Sequence, residues 1–290
     1  MFVETRTRPV LAEVCELLGR SPDEATLIRH HTNAVYSLDD LVIKIAPPTI
    51  SIDRLRKTVT LVQWLTSTRF PTVRLAGGIQ QPMKVAGHGV TVWERLDATP
   101  ITTGELGQLL RRLHDIRDAP PLELPRLDPI GSIRRSIEQS VILNHQESQL
   151  LKDRLADLTA SWHEIDASLG YGLIQSDPQI RNALRQPDGS PVLADWDAAC
   201  IGPRAWDVAT VSVHCHRFGT DAHLTDFIHA YGFDPRGSES FKNLCRLREL
   251  QMIATNARKS QADSPAAREV QRRIEGLQRG SEQVMSWNIL

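Results

Sequence analysis

The sequence predicts an α+β fold in two unequal lobes: an antiparallel sheet with one main helix, then a largely helical region. Three observations carry this. Short β-prone runs fill residues 20–96, helical periodicity dominates beyond Pro100, and strand texture returns once, between Gly172 and Ala194. The order places an N-terminal lobe at 1–96 and a C-terminal lobe at 97–290.

In the first lobe, Val10, Leu11, Val14, Leu17 and Leu18 recur at helical spacing, with Gly19 as a stop. Thr26 to Arg29, Ala34 to Leu38 and Leu41 to Ala46 read as strands, the last two joined through Asp39 and Asp40. Ser51 caps a helix whose apolar stripe is Ile52, Leu55, Val59, Val62 and Leu65. Three more strands are expected at Thr72 to Ala76, Met83 to Ala86 and Val90 to Leu96, punctuated by Gly77, Gly78, Gly87 and Gly89.

The second lobe opens on a capping box, Thr102 with Glu105, ahead of the apolar face Leu106, Leu109, Leu110 and Leu113. After a proline-rich loop come two further helices, the longer carrying Leu151, Leu155, Leu158, Trp162, Ile165 and Leu169. Gly172 to Ile174 reads as a strand, and Ala183 to Arg185 and Val192 to Ala194 as a small hairpin turned by Pro187, Asp188 and Gly189. Helices then continue to the end.

Composition removes several classes of function. With 34 Lys and Arg against 35 Asp and Glu there is no basic footprint for nucleic acid or an anionic membrane. Apolar runs fall short of the roughly 20 residues of a membrane span, and Met1 to Leu11 lacks a signal-peptide core, so a cytoplasmic protein is expected. Four scattered cysteines, Cys15, Cys200, Cys215 and Cys245, read as reduced thiols. His214, Cys215 and His216 lack the spacing of a zinc site and read as packing.

The chemistry concentrates in one segment, which runs Gln175, Ser176, Asp177, Pro178, Gln179, Ile180, Arg181, Asn182, then the hairpin, then Asp195, Trp196 and Asp197. An Asp and an Asn five positions apart, with a further Asp brought back by a hairpin, suit Mg²⁺, a hard cation that takes carboxylate and carbonyl oxygens. This pattern resembles the catalytic loop and metal site of the aminoglycoside phosphotransferase and choline kinase-like family, whose signature is HGDxxxxN followed by DW. Gly202 to Ala209, reading GPRAWDVA, is similar to the family's GxxxxDLA stretch, and Leu113 with His114 to its LH pair.

The resemblance implies a bilobal protein-kinase-like fold and a kinase that moves the γ-phosphoryl group of ATP or GTP to a hydroxyl of a small molecule: an aminoglycoside, sugar, amino alcohol or other metabolite. By the same resemblance Asp177 is the catalytic Asp, Asn182 and Asp195 hold Mg²⁺, and Asp207 braces the catalytic loop. Lys44, centred in its strand, is the phosphate-binding lysine, and His31 to Tyr36, with Asn33, resembles the nucleotide loop. Trp93 to Leu96 fall where a hinge is expected, so that the backbone of Glu94 and Leu96 meets an adenine edge.

Two departures stand out. Gln175 and Ser176 replace the family's His and Gly, and Thr58 stands where the helix after Ser51 should supply a Glu to Lys44, with no acid between Arg54 and Arg69. They motivate a competing expectation, a pseudokinase that binds nucleotide or acts as a scaffold. From residue 201 onward 12 Lys and Arg stand against 10 Asp and Glu, which argues against a polycationic aminoglycoside and leaves sugars, amino alcohols and other metabolites; Glu239, Glu249 and Asp226 are the first candidate acids of this lobe for a cationic acceptor.

Overall fold

The computed structural model describes residues 4–30, 32–162, 169–279 and 286–290; His31 and Ile165 lie outside them. The chain divides into two compact units. The first comprises Met1–Ile101, Asp118–Leu124 and Arg181–Ala198, the second Thr102–Arg117, Pro125–Ile180 and Ala199–Leu290.

The first unit is built on a five-stranded antiparallel sheet, β1 (Thr26–His30), β2 (Ala34–Leu38), β3 (Leu41–Ile45), β4 (Met83–Val85) and β5 (His88–Glu94), in the order β1-β2-β3-β5-β4. Alternation along β2 and β3 divides the side chains between two faces. Ala34, Tyr36, Leu38, Ile43 and Ile45 pack with Val10, Leu11, Val14 and Cys15 of α1 (Glu4–Leu18) into one apolar core. The opposite set, Val35, Ser37, Val42 and Lys44, lines a cavity. At the first interface the Thr7 and Tyr36 hydroxyls share a buried hydrogen bond of 2.6 Å.

Ser51 caps α2 (Ile52–Ser67) as expected, its hydroxyl accepting from the Arg54 amide. The helix approaches β5 closely at Gly89, where a Cβ would meet Leu55 Cδ1, so a side chain there would oblige Leu55 to shift. The expected strand over Thr72 to Ala76 is not a ladder. Thr72 bridges Leu193 and Leu75 bridges Trp93, so the segment changes partner within four residues and no two successive pairs form. The hairpin strands β7 (Ala183–Arg185) and β8 (Pro191–Leu193) also belong to this unit, tied by Val73 N donating to Leu193 O (3.0 Å) and Trp196 Nε1 donating to the Thr72 hydroxyl (2.8 Å).

The second unit is helical: α3 (Thr103–His114), α4 (Pro129–Glu138), α5 (His145–Trp162), α6 (Ala205–Phe218), α7 (Asp221–Tyr231), α8 (Glu239–Lys259) and α9 (Pro265–Gln278). The Thr102–Glu105 capping box forms. Gly107 lets α7 lie against α3, since a Cβ there would meet Phe227 O at 2.6 Å. Strand β6 (Tyr171–Ile174) pairs antiparallel with β9 (Cys200–Pro203), a strand the sequence pattern does not announce, because its four residues end in Gly-Pro. Among the described residues no helix is long and apolar enough to cross a membrane.

A buried polar network fastens the last residues to α9. Glu269, 5% exposed, accepts from Arg272 and Arg273 and from the backbone and side chain of Asn288. The guanidiniums of Arg217 and Arg273 lie 4.8 Å and 4.4 Å from the Trp287 ring centre. Burial pushes the Glu269 carboxyl up, but the donors outweigh it and bring it down to about 2. A carboxyl so lowered adds stability that is complete above its unfolded value near 4.5 and is lost as pH falls towards 2. Glu269→Gln is therefore expected to cost on the order of 3 kcal/mol at pH 7, with the gap to wild type closing between about pH 4.5 and 2. Urea unfolding across that range checks it.

Candidate active site

Lys44 sits mid-strand on the cavity face of β3, its side chain 15% exposed. A lysine this far from water needs a counter-charge. It finds one in the turn after the hairpin: Nζ donates to Asp197 Oδ2 at 2.5 Å and to Asp195 Oδ1 at 3.5 Å. Burial pulls the Lys44 ammonium down, and the carboxylates of Asp197 and Asp195 outweigh it, holding the group above its ordinary value. The Asp197 carboxyl is pushed up by burial and then brought below its usual range by Lys44 and the Thr58 hydroxyl.

Thr58, on α2, donates to Asp197 Oδ1 (3.3 Å), and the Arg54 guanidinium donates to Asp197 O (3.5 Å). The helix position that lacks a Glu thus holds the carboxylate that takes its place. Within the motif Asp197 stands two residues after Asp195 with no role of its own. The available signal was the missing acid on α2 together with a spare carboxylate two residues after Asp195.

The described residues that line the cavity of about 1300 Å³ come from the first unit and include Lys44, Glu94, Leu96, Asn182, Asp195 and Asp197. Asp195 has a positive φ of 56°, a left-handed conformation that Asp tolerates better than most residues. An amide oxygen and a carboxylate on one cavity wall are the donor types that fit Mg²⁺, which keeps its other positions for water and phosphate. The amides of Glu94, Arg95 and Asp97 are taken by Arg74 O, Asp40 O and Arg185 O. Among the described residues none takes up the Leu96 amide. Asn33 stands half-buried in the bend before β2 and is not among the lining residues.

Asp177 belongs to the second unit, on the loop after β6. That loop hangs from one buried carboxylate. Asp207, on α6 and fully buried, accepts from the Gln175 amide (2.9 Å) and the Ser176 amide (2.8 Å). His114 stands on it at 3.2 Å, with its other ring nitrogen 2.8 Å from the Tyr231 hydroxyl. Trp206 Nε1 donates to Ser176 O (3.2 Å). Gln175 closes the loop from within, its Oε1 accepting from the Asp177 amide at 2.7 Å, so the residue in the family's His position does supply a brace. The Asp177 carboxylate receives Arg248 Nη2 on Oδ1 (2.5 Å) and Gln179 Nε2 on Oδ2 (3.1 Å), with His214 Nε2 at 4.0 Å.

Ser176, in the family's Gly position, carries φ 76°. That backbone conformation costs an L-residue about 1–2 kcal/mol. Ser176→Gly and Ser176→Ala both lose the hydroxyl and differ in this strain. The glycine variant is expected to be the more stable by about 1 kcal/mol, after allowing for the greater freedom of its unfolded chain. Chemical denaturation of the pair measures the difference.

Comparison with known proteins follows the same lines. The model of the APH phosphotransferase enzyme family matches residues 24–241. Amicoumacin kinase hAmiN, solved in complex with AMP-PNP, Ca²⁺ and Ami, superposes with a TM-score of 0.77 at 13% identity, covering 99% of this chain and 98% of that one. A microcompartment-associated aminopropanol kinase gives 0.69 at 15% identity over 92% and 94%, and choline kinase LicA from Streptococcus pneumoniae 0.67 at 14% over 94% and 99%. At such identities the likeness is one of fold, and it agrees with the kinase-like fold expected from the sequence. No curated protein matches the chain by sequence.

Proposed function

The chain belongs to the phosphotransferase enzyme family and is a phosphotransferase with an alcohol group as acceptor; we propose that it is a Mg²⁺-dependent kinase using ATP or GTP and a small hydroxylated molecule. The observation that carries this is that Lys44, bonded to Asp195 and Asp197, lines one cavity together with them and Asn182. The first unit binds the nucleotide. The second supplies Asp177 and the acceptor site.

Lys44 meets the phosphates, oriented by Asp197, and Glu94 and Leu96 meet the base through their backbone. Asn182 and Asp195 would hold Mg²⁺, which when bound offsets negative charge on the phosphate oxygens. Asp177 orients the acceptor hydroxyl and takes its proton as the hydroxyl oxygen bonds to the γ-phosphorus. The bond from that phosphorus to the bridging oxygen breaks, and the nucleoside diphosphate leaves with the electron pair. Phosphoryl transfer asks mainly for positioning and charge neutralisation, which is what these side chains offer.

The two departures that favoured a pseudokinase both have structural replacements. Asp197 stands in for the missing Glu on Lys44, and Gln175 braces the Asp177 amide. Both support turnover over mere binding. Four free cysteines in a nucleotide-using enzyme fit a reducing, cytoplasmic setting.

Asp177→Asn is the direct test. ADP release with a hydroxyl acceptor is expected to fall by about 10² to 10⁴, while stabilisation by Mg²⁺ and ATP in thermal unfolding stays at the wild-type level. Undiminished turnover, or loss of the nucleotide stabilisation, contradicts the assignment.

A further inference from the structure

The acceptor side of the reaction is written in what surrounds Asp177. A cationic acceptor such as an amino alcohol or aminoglycoside calls for carboxylates beside the hydroxyl. The groups that meet the Asp177 carboxylate include a guanidinium at 2.5 Å, an amide at 3.1 Å and an imidazole at 4.0 Å. The three acids that would serve a cation are placed otherwise. Glu249 is held by Arg217 at 2.7 Å, Glu239 by Lys242 and Arg246, and Asp226 lies exposed on α7.

Arg248 is set firmly in α8. Its side chain is 11% exposed, Nη1 donates to Gln251 Oε1 (2.5 Å), and the guanidinium carbon lies 6.0 Å from the Trp206 ring centre. Among the described residues its buried Nε has no hydrogen-bond partner, and neither does Gln179 Oε1 on the Asp177 loop. The described residues therefore leave a donor on the cation and an acceptor beside the carboxylate unfilled. Asp177, its side chain 39% exposed, is the accessible member of the ion pair.

Building on the kinase reading, we propose that the acceptor is a small hydroxy compound carrying an oxyanion, a carboxylate or a phosphate, and that Arg248 binds that oxyanion. In the resting pair Arg248 occupies Asp177 Oδ1. An anionic acceptor offers the guanidinium a second partner, which loosens its hold on Asp177 and brings the hydroxyl to the released oxygen. The hydroxyl proton passes to Asp177, the hydroxyl oxygen bonds to the γ-phosphorus, and the nucleoside diphosphate departs with the bond it had to that phosphorus. A cation at the same place meets Arg248 and is repelled.

The test uses acceptors of matched skeleton and different charge: glycerate, glycerol 3-phosphate, glycerol and 2-amino-1,3-propanediol, read by ADP release from the full chain with Mg²⁺ and ATP. One or both anions should exceed the neutral and cationic compounds by about tenfold or more in kcat/KM, the scale of one charge-assisted hydrogen bond. Which anion leads distinguishes carboxylate from phosphate. Arg248→Gln should abolish the preference chiefly through KM, and Arg248→Lys should retain part of it; a merely structural role moves neither the preference nor the split. Absence of an anion preference in the wild type, a preference for the amine, or one that survives in a folded Arg248→Gln protein overturns the proposal. Stabilisation by Mg²⁺ and ATP, measured on the same samples, separates the cases: its presence confines the failure to the acceptor class, and its absence removes the kinase reading as well.

Discussion

A lysine shielded from water on the cavity face of a sheet must be given a partner, and in this protein much else answers to that demand. Lys44 is fixed in place by the register of β3 between β2 and β5, opposite Val35 and Thr91. Its partner Asp197 comes from 153 residues further along the chain. Bringing it there requires the segment Arg181–Ala198 to pack with the first unit, through Thr72, Phe70 and Thr58. Asn182 and Asp195 arrive on the cavity wall by the same packing. Such a pair contributes little net stability, since desolvation of both charges offsets most of the attraction. What it secures is geometry: one ammonium held at a known place between two carboxylates.

The second unit solves a parallel problem with the opposite charge. Asp207 is a fully buried carboxylate made tolerable by two backbone amides and a histidine, and those amides belong to the residues just before Asp177. The loop can adopt the strained backbone at Ser176 because the buried acid over-determines its position. Substituting Gln for His at position 175 then has a local remedy, since an amide oxygen two residues away suffices to hold the Asp177 amide.

How much of this could be read beforehand depended on the range of the interaction. Periodicity located α2 with its Ser51 cap, the β2–β3 pair and the Thr102 capping box, because each is decided by residues within a few positions of one another. The segment after Pro71 is β-prone in composition, but its partners at Leu193 and Trp93 are distant, and they split it. Lys44, Asn182 and Asp195 were legible as a spaced motif. Asp197 as the lysine's partner and Arg248 on Asp177 were not, because contacts across 153 and 71 residues leave no periodic trace. The absence of an acid on α2 was visible, yet only the fold says which carboxylate fills it.

The claim most exposed to experiment is that Asp197 acts through Lys44. Isothermal titration of Mg²⁺ and ATP against wild type, Lys44→Gln, Asp197→Asn and the double variant tests it as a cycle. Each single change is expected to weaken binding by about tenfold, and the double variant to be no weaker than Lys44→Gln alone, a coupling of about 1–2 kcal/mol. Wild-type affinity in Asp197→Asn, or losses that simply add, would contradict it.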